Sequence, residues 1–258
     1  MKRIDAHEVA RQVVVSLVLE PIAEKDGCTT RTIDLDETIR LQHLQVAGVN
    51  VGRYFFDLVE RINKCDGQPP EYFDLAWNAV NESQKNLQNT GKYINQGLIT
   101  IFFHVVLASL LTEGTGVDVC KNVPNILEKS SAFDAKFRAK SLQLVWSKSR
   151  NKTKREFPLL EAGNLSEFYK KLNHQAQVLQ YESGVVWSRE ILSGLPTVQA
   201  MYLEAMKNLD GGFLVAIEEA YKKGVELLSI NSPGFVADYT GVVGYLLVKE
   251  SGDRPIIK

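Results

Sequence analysis

Apolar residues recur at intervals of three and four along most of the chain, and this spacing places them on one face of an α-helix. The first such segment covers residues 6–20, where Asp5 and Glu8 have the spacing of a capping box. The strongest segment covers residues 93–112, where apolar side chains occupy nearly every side of the predicted helix. A helix of that kind belongs at the centre of a core. Strand-like alternation is nowhere sustained.

The pattern therefore predicts an all-α protein, a single-domain multi-helix bundle of about ten helices over residues 1–258, with residues 251–258 as a loose tail. Gly48 and Gly52 are interpreted as close packing points between helices, with a ligand contact as the alternative. His104, inside the most apolar helix, is either a hydrogen-bonded core histidine or a proton donor or ligand. The other predicted helices cover residues 39–62, 70–87, 117–149, 165–180, 185–192, 198–207, 213–228 and 236–248.

The composition is that of a globular protein, with 45% hydrophobic and 24% charged residues and a formal net charge of −1. Without a global positive field, binding to nucleic acid is not expected. Three widely spaced cysteines fit neither a zinc site nor a disulfide framework, which favours a reducing compartment. Asp5 and Glu8 lie near the N-terminus, where a signal peptide would have an apolar core. No stretch reaches the roughly 18 uninterrupted apolar residues that a membrane span requires. We expect a cytoplasmic protein without membrane association.

The first of three polar breaks covers residues 24–38, between two apolar helices. Three carboxylates cluster there at the start of the second helix, and two basic residues lie upstream. Clustered carboxylates suit Mg²⁺, which prefers oxygen ligands and bridges to substrate phosphates. Alternatively, the acids offset the macrodipole of the helix without any metal. The residues concerned are Lys25, Arg31, Asp34, Asp36 and Glu37.

Two further breaks precede apolar helices. Residues 89–97 come directly before the most buried helix, whose N-terminal amides and Lys92 could bind phosphate, with an ordinary helix cap as the alternative. Residues 231–238 place Asp238 in the first turn of the last helix, where a role with the helix dipole competes with a catalytic one. A basic run at residues 147–155 is a solvated loop or a phosphate clamp.

In this order the three breaks resemble the motifs of the triphosphoribosyl-dephospho-CoA synthase family, including its archaeal-type members. The resemblance spans roughly residues 6–110 and 195–248. The Pro-Lys-x-Gly-Asn-Val and acidic Asp-x-x-Asp-Thr motifs correspond to residues 24–29 and 34–38, Thr-Asn-Thr-Asn-Leu-Gly corresponds to residues 92–97, and Asn-Pro-Gly-Thr-x-Ala-Asp corresponds to residues 231–238.

The resemblance implies an all-helical transferase in which a ribose hydroxyl of dephospho-CoA displaces adenine from C1′ of ATP, with Mg²⁺ on the triphosphate. It implies that carboxylates hold the metal or the cationic centre, that Lys25 and Arg31 contact phosphates, and that Asn95 orients the substrate. The implied catalytic residues are Asp34, Asp36, Glu37 and Asp238, of which the first three are also metal ligands. The implied binding residues are Lys25, Gly27, Arg31, Thr38, Asn95, Gly97 and Asn231.

The chain departs from the family motifs at five positions, which leaves two functions open. One is a divergent transferase that uses Mg-ATP and a dephospho-CoA-like or related cofactor precursor. The alternative is a non-catalytic helical paralogue that binds a nucleotide or a partner protein. The expected partner is a nucleotide or CoA-like small molecule, and a homodimer is possible. The departures are Glu24, Cys28, Glu37, Tyr93 and His104.

Overall fold

Eleven α-helices and two short 3-10 turns make up the regular structure of the described residues, in which no strand occurs. The computed structural model describes residues 3–32, 40–65, 70–85, 96–148, 160–228 and 233–251. The predicted all-α class is confirmed. The helices are α1 (Ala6–Leu19), α2 (Leu41–Lys64), α3 (Phe73–Lys85), α4 (Gln96–Leu110), α5 (Gly116–Lys129), α6 (Ala132–Lys148), α7 (Leu165–Val178), α8 (Glu182–Leu192), α9 (Pro196–Asn208), α10 (Phe213–Leu228) and α11 (Pro233–Ser251), and the 3-10 turns cover Glu20–Ile22 and Leu209–Gly211.

The core is continuous and draws buried apolar side chains from all eleven helices. Helix α4 lies at its centre, since every residue from Leu98 to Ser109 is buried, and it packs against α3, α5 and α11. Phe103 of α4 stacks on Phe55 of α2 with ring centroids 4.3 Å apart. The position predicted for this helix, at the centre of the core, is confirmed.

The region predicted as one helix over residues 117–149 is two helices, α5 and α6. Pro124 lies inside α5 and does not end it. The chain turns instead at Ser130 and Ser131, where Asp134 accepts a hydrogen bond of 3.0 Å from the Ser131 amide. The prediction of one continuous helix was wrong here because apolar spacing continues across a turn of only two residues.

Close contact between α1 and α2 depends on two glycines. A Cβ atom at Gly48 would lie 2.9 Å from Leu17 Cβ, and one at Gly52 would lie 2.5 Å from Val14 Cγ2. Both separations are shorter than van der Waals contact, so only glycine lets the helices approach to this distance. The interpretation of these glycines as packing points is confirmed.

His104 is a core histidine with hydrogen bonds at both ring nitrogens. Nδ1 lies 2.8 Å from the Tyr72 hydroxyl, and Nε2 lies 2.7 Å from the Tyr169 hydroxyl. Burial, aided by the positive charge of Arg138, lowers its pKa to about 3, so the ring is neutral at physiological pH. The core interpretation of His104 is therefore the one that the structure supports.

No helix in the described ranges has both the length and the apolar character that crossing a bilayer requires.

Candidate functional site

The segment of residues 23–32, which follows α1, is held to the fold by a buried ion pair. Lys25 Nζ lies 2.6 Å from Glu20 Oε1 and donates a hydrogen bond of 2.5 Å to the Glu20 carbonyl oxygen. The side chains of Lys25 and Glu20 are only 1% and 9% exposed. Thr240 of α11 donates to the same Glu20 Oε1 at 3.5 Å. The charge of Lys25 is thus balanced inside the protein.

Glu24, at the position where the motif of the resembling family has proline, organises the outer part of this segment. Its carboxylate accepts hydrogen bonds from the hydroxyls of Thr32 and Thr30 at 2.8 and 2.9 Å and pairs with Arg31 Nε at 2.9 Å. These contacts, the Thr32 hydrogen bond first among them, lower the pKa of Glu24. Its backbone amide donates to Glu218 of α10 at 3.1 Å. The Arg31 guanidinium, which was predicted to contact phosphate, is therefore paired with the Glu24 carboxylate.

The middle of the segment lies between α10 and α11. Tyr221 of α10 donates a hydrogen bond of 2.5 Å to the Asp26 carbonyl oxygen and lies 3.8 Å from Cys28 Sγ. Gly27 has a φ of +76°, in the left-handed region, and a Cβ atom there would lie 2.6 Å from Pro233 Cγ. Gly27 therefore makes the contact between the first polar break and the start of α11.

Asp238 joins the second and third breaks. Its partly buried carboxylate accepts a hydrogen bond from the Leu98 amide in the first turn of α4, and a Cβ atom at Gly97 would overlap Asp238 Oδ2. Burial, and then the negative charge of Glu20, raises the pKa of Asp238 to about 8. The carboxyl is therefore mostly protonated at neutral pH, in a place where a helix N-terminus would otherwise favour its charge.

The position predicted for Asp238, in the first turn of its own helix, was wrong. Helix α11 begins at Pro233, a residue favoured at the first helical position, and its first turn holds no acid. Asp238 lies one turn further on and caps α4 instead. The Leu98 amide, one of the N-terminal amides of α4 that were predicted to bind phosphate, therefore already donates a hydrogen bond to the Asp238 carboxylate.

Asp238 lines a cavity of about 200 Å³ between α4, α6, α7, α8 and α11. The other polar groups on its wall include Thr100 of α4 and Arg138 of α6. Trp187 and Phe235 supply aromatic surface. The cavity thus combines one cation, one neutral acid and an aromatic wall.

The structure describes five of the predicted site residues and brings most of them together. Gly97 and Asp238 line the cavity, and Gly27 contacts the start of the helix that carries Asp238. Burial raises the pKa of the Cys28 thiol, and the charges of Lys25 and Asp238 act on that pKa in opposite directions. Lys25 does not line the cavity. Arg31 is half-exposed and away from it. The predicted residues outside the described ranges are Asp34, Asp36, Glu37, Thr38, Asn95 and Asn231.

The predicted Mg²⁺ site rests on Asp34, Asp36 and Glu37, so it stays a prediction. Within the described ranges no group of three or more His, Cys, Asp or Glu side chains is placed to hold a metal ion. Most of the basic run also lies outside, at residues 149–159.

The cavity residues that were not found from the sequence include Thr100, Arg138 and Trp187. Arg138 had a recognisable signal, because it lies three residues after Ala135 and next to Ala139, both buried. A charged residue among small residues on a buried helix face is unusual unless it has a partner. Thr100 had no such signal in the sequence, because a threonine within an apolar helix is common.

Comparisons of this chain with protein-family models, with curated proteins and with solved structures found no match. The resemblance to the synthase family accordingly stays a prediction from the three motifs.

Proposed function

We propose that this chain is a divergent triphosphoribosyl-dephospho-CoA synthase-like transferase, which acts on Mg-ATP and a dephospho-CoA-like or related precursor and releases adenine. One observation carries the proposal. The described parts of the three motif segments contact one another, since Gly97 of α4 lies against Asp238 and Gly27 lies against Pro233 at the start of α11, the helix that carries Asp238. Motifs that are distant in sequence and adjacent in space are what a shared site requires.

Asp238 has the properties of a general acid for this reaction. Adenine leaves C1′ readily only when a ring nitrogen receives a proton, and a carboxyl with a pKa of about 8 still holds its proton at neutral pH. After the transfer, the Leu98 amide hydrogen bond stabilises the carboxylate until it regains a proton, the one that the attacking ribose hydroxyl loses. Mg²⁺ would supply positive charge to the triphosphate, and the predicted ligands Asp34, Asp36 and Glu37 suit it chemically.

The cavity limits what can be seated against Asp238. Its volume of about 200 Å³ is below the roughly 300–1,000 Å³ of typical small-molecule sites, so it accommodates one part of a nucleotide and not the whole. We assign it the reacting part, a sugar with one attached anionic group. Trp187 and Phe235 give this part an apolar surface to pack on.

Release of free adenine tests the proposal. The protein is incubated with ATP, Mg²⁺ and dephospho-CoA, and adenine is measured by chromatography. Wild type should release adenine, and Asp238→Asn should be slower by about 10²- to 10⁴-fold, the usual contribution of a general acid. The matched control is Asp210→Asn, which changes an exposed aspartate outside the cavity and should keep the rate. Absence of adenine with wild type would contradict the parent reaction.

The non-catalytic alternative also has an observation in its favour. Both basic residues expected to contact phosphates, Lys25 and Arg31, are already paired with Glu20 and Glu24. Binding of Mg-ATP without release of adenine would support a paralogue that binds a nucleotide. Neither binding nor turnover would favour a role in contacting a partner protein.

A further inference from the structure

Arg138 is a buried cation with an unused hydrogen-bond donor. The residue is 2% exposed, and its Nη1 atom has no hydrogen-bond partner. None of the ion pairs found among the described residues includes it. A buried charge is normally paired, because losing its hydration is costly.

The guanidinium is nevertheless held in one place. Its Cζ atom lies 4.7 Å from the centroid of the Trp187 ring, and the rings of Phe168 and Tyr169 follow at 5.7 and 5.8 Å. Nε donates a hydrogen bond of 3.2 Å to the Tyr169 hydroxyl, which is itself bonded to His104. Aromatic faces attract a cation without neutralising its charge, and Nη1 keeps an N–H group that has no acceptor. The protein thus orients the charge without neutralising it.

A second unused polar group lies on the wall of the same cavity. The Thr100 hydroxyl has no hydrogen-bond partner, and the residue is 1% exposed. A guanidinium and a hydroxyl on one small cavity form a donor set suited to an oxygen-bearing anion. Among the described residues of the wall, Asp238 carries the only carboxyl.

We propose that Arg138 and Thr100 form a subsite for a single oxyanion group of a small ligand, a carboxylate or a phosphate ester, inside the cavity. Arg138 is the one cation that the described residues place on the wall, and it matches one negative charge. The aromatic side chains around the guanidinium give the remaining part of the ligand an apolar surface on which a ring can pack. The subsite does not rest on the transfer reaction, because simple anions occupy it without turnover.

Trp187 allows the subsite to be tested by fluorescence, since its ring packs directly on the Arg138 guanidinium. Wild type is titrated with sodium phosphate and with sodium benzoate at constant ionic strength, and sodium chloride is the control salt. A saturable change is expected with at least one oxyanion and none with chloride. Phosphate and benzoate distinguish a phosphate ester from a carboxylate as the natural group. Trp187→Phe identifies the signal among the three tryptophans.

Variants then assign the binding to the two donors. Arg138→Met should lower the affinity for the oxyanion by about tenfold to a hundredfold, the range for a charge-assisted hydrogen bond. Thr100→Val should lower the affinity by up to about tenfold. The matched control is Arg53→Met, which removes an exposed arginine that packs on Tyr54 at 4.6 Å, and it should bind as wild type does. Neither cavity variant should unfold the free protein, because Thr100 Oγ1 and Arg138 Nη1 have no partner and, among the described residues, Arg138→Met removes a single hydrogen bond, the one from Nε to Tyr169.

Thermal unfolding provides a second readout that does not need tryptophan. The oxyanion should raise the midpoint of wild type and of Arg53→Met but not that of Arg138→Met. The proposal is overturned if no oxyanion changes either the fluorescence or the midpoint of wild type. It is also overturned if Arg138→Met responds as strongly as wild type.

Discussion

Asp238 determines the chemistry proposed for this protein, and its environment comes from two different helices. Asp238 is part of helix α11, and its carboxylate accepts a hydrogen bond from the Leu98 amide of α4. Burial and the charge of Glu20 outweigh this hydrogen bond, so the pKa rises from an ordinary 3.8 to about 8. Asp238 therefore holds a proton at neutral pH, and departing adenine needs such a proton donor.

The shifted pKa of Asp238 makes stability depend on pH. Between about pH 4 and pH 8 the folded protein retains the proton and the unfolded chain loses it, so the folded state binds more protons and its stability falls as pH rises. Thermal midpoints of wild type should therefore fall from pH 5 to pH 8 by more than those of Asp238→Asn, which cannot ionise. Asp210→Asn should follow wild type. Parallel pH profiles for wild type and Asp238→Asn would contradict the assignment.

Lys25 is expected to act through the ion pair with Glu20. Lys25→Met leaves a buried carboxylate unpaired and should cost about 3–5 kcal/mol of unfolding free energy, measured by denaturant titration. Adding Glu20→Gln should recover most of that loss. Arg31→Met, which breaks an exposed pair, should cost about 0–1 kcal/mol. Failure of the double variant to recover would show that Lys25 does more than pair with Glu20.

At the scale of elements, the junction of α4 with α11 decides the shape of the site. Gly97 is in the first turn of α4, and a side chain there would displace the Asp238 carboxylate. Gly48 is also crowded, since a Cβ atom there would lie 2.9 Å from Leu17 Cβ, but it lies at the contact of α1 with α2 and does not line the cavity. The two glycines therefore form a matched pair.

Alanine at each glycine separates packing from chemistry. Gly97→Ala and Gly48→Ala should each destabilise the fold by about 1–3 kcal/mol through overpacking. Only Gly97→Ala should also lower adenine release, by about tenfold or more, because it displaces the acid. Rates are compared at a temperature where both variants are folded. Equal rates in the two variants would show that the position of Asp238 is unimportant.

Sequence patterns located the helices better than they located the site. Helix α10 has the predicted bounds, Phe213–Leu228, because Gly211 and Gly212 interrupt the apolar spacing before it. Helix α11 begins three residues earlier than its apolar pattern because Pro233 opens it. Arg138 was missed because its spacing from two alanines indicates at most a buried position, and the aromatic rings that surround its guanidinium come from two other helices, α7 and α8.

At the scale of the whole molecule, the cavity combines two parts of the chain. Helices α4 and α11 belong to the regions that resemble the synthase family, whereas α6, α7 and α8 belong to the region without a counterpart in the motifs. The resembling part contributes the acid, and the remaining part contributes the unpaired cation and Trp187. We therefore expect the second part to set which anion is accepted.

Calorimetric titration with Mg-ATP tests most directly whether these parts form one nucleotide site. Wild type should bind saturably, with a dissociation constant between about 1 µM and 1 mM, the range usual for enzyme substrates. Asp210→Asn should bind equally, and the double variant Asp36→Ala with Asp238→Ala should bind at least about tenfold more weakly. The account is contradicted if wild type gives no heat of binding with Mg-ATP, or if the double variant binds as well as wild type.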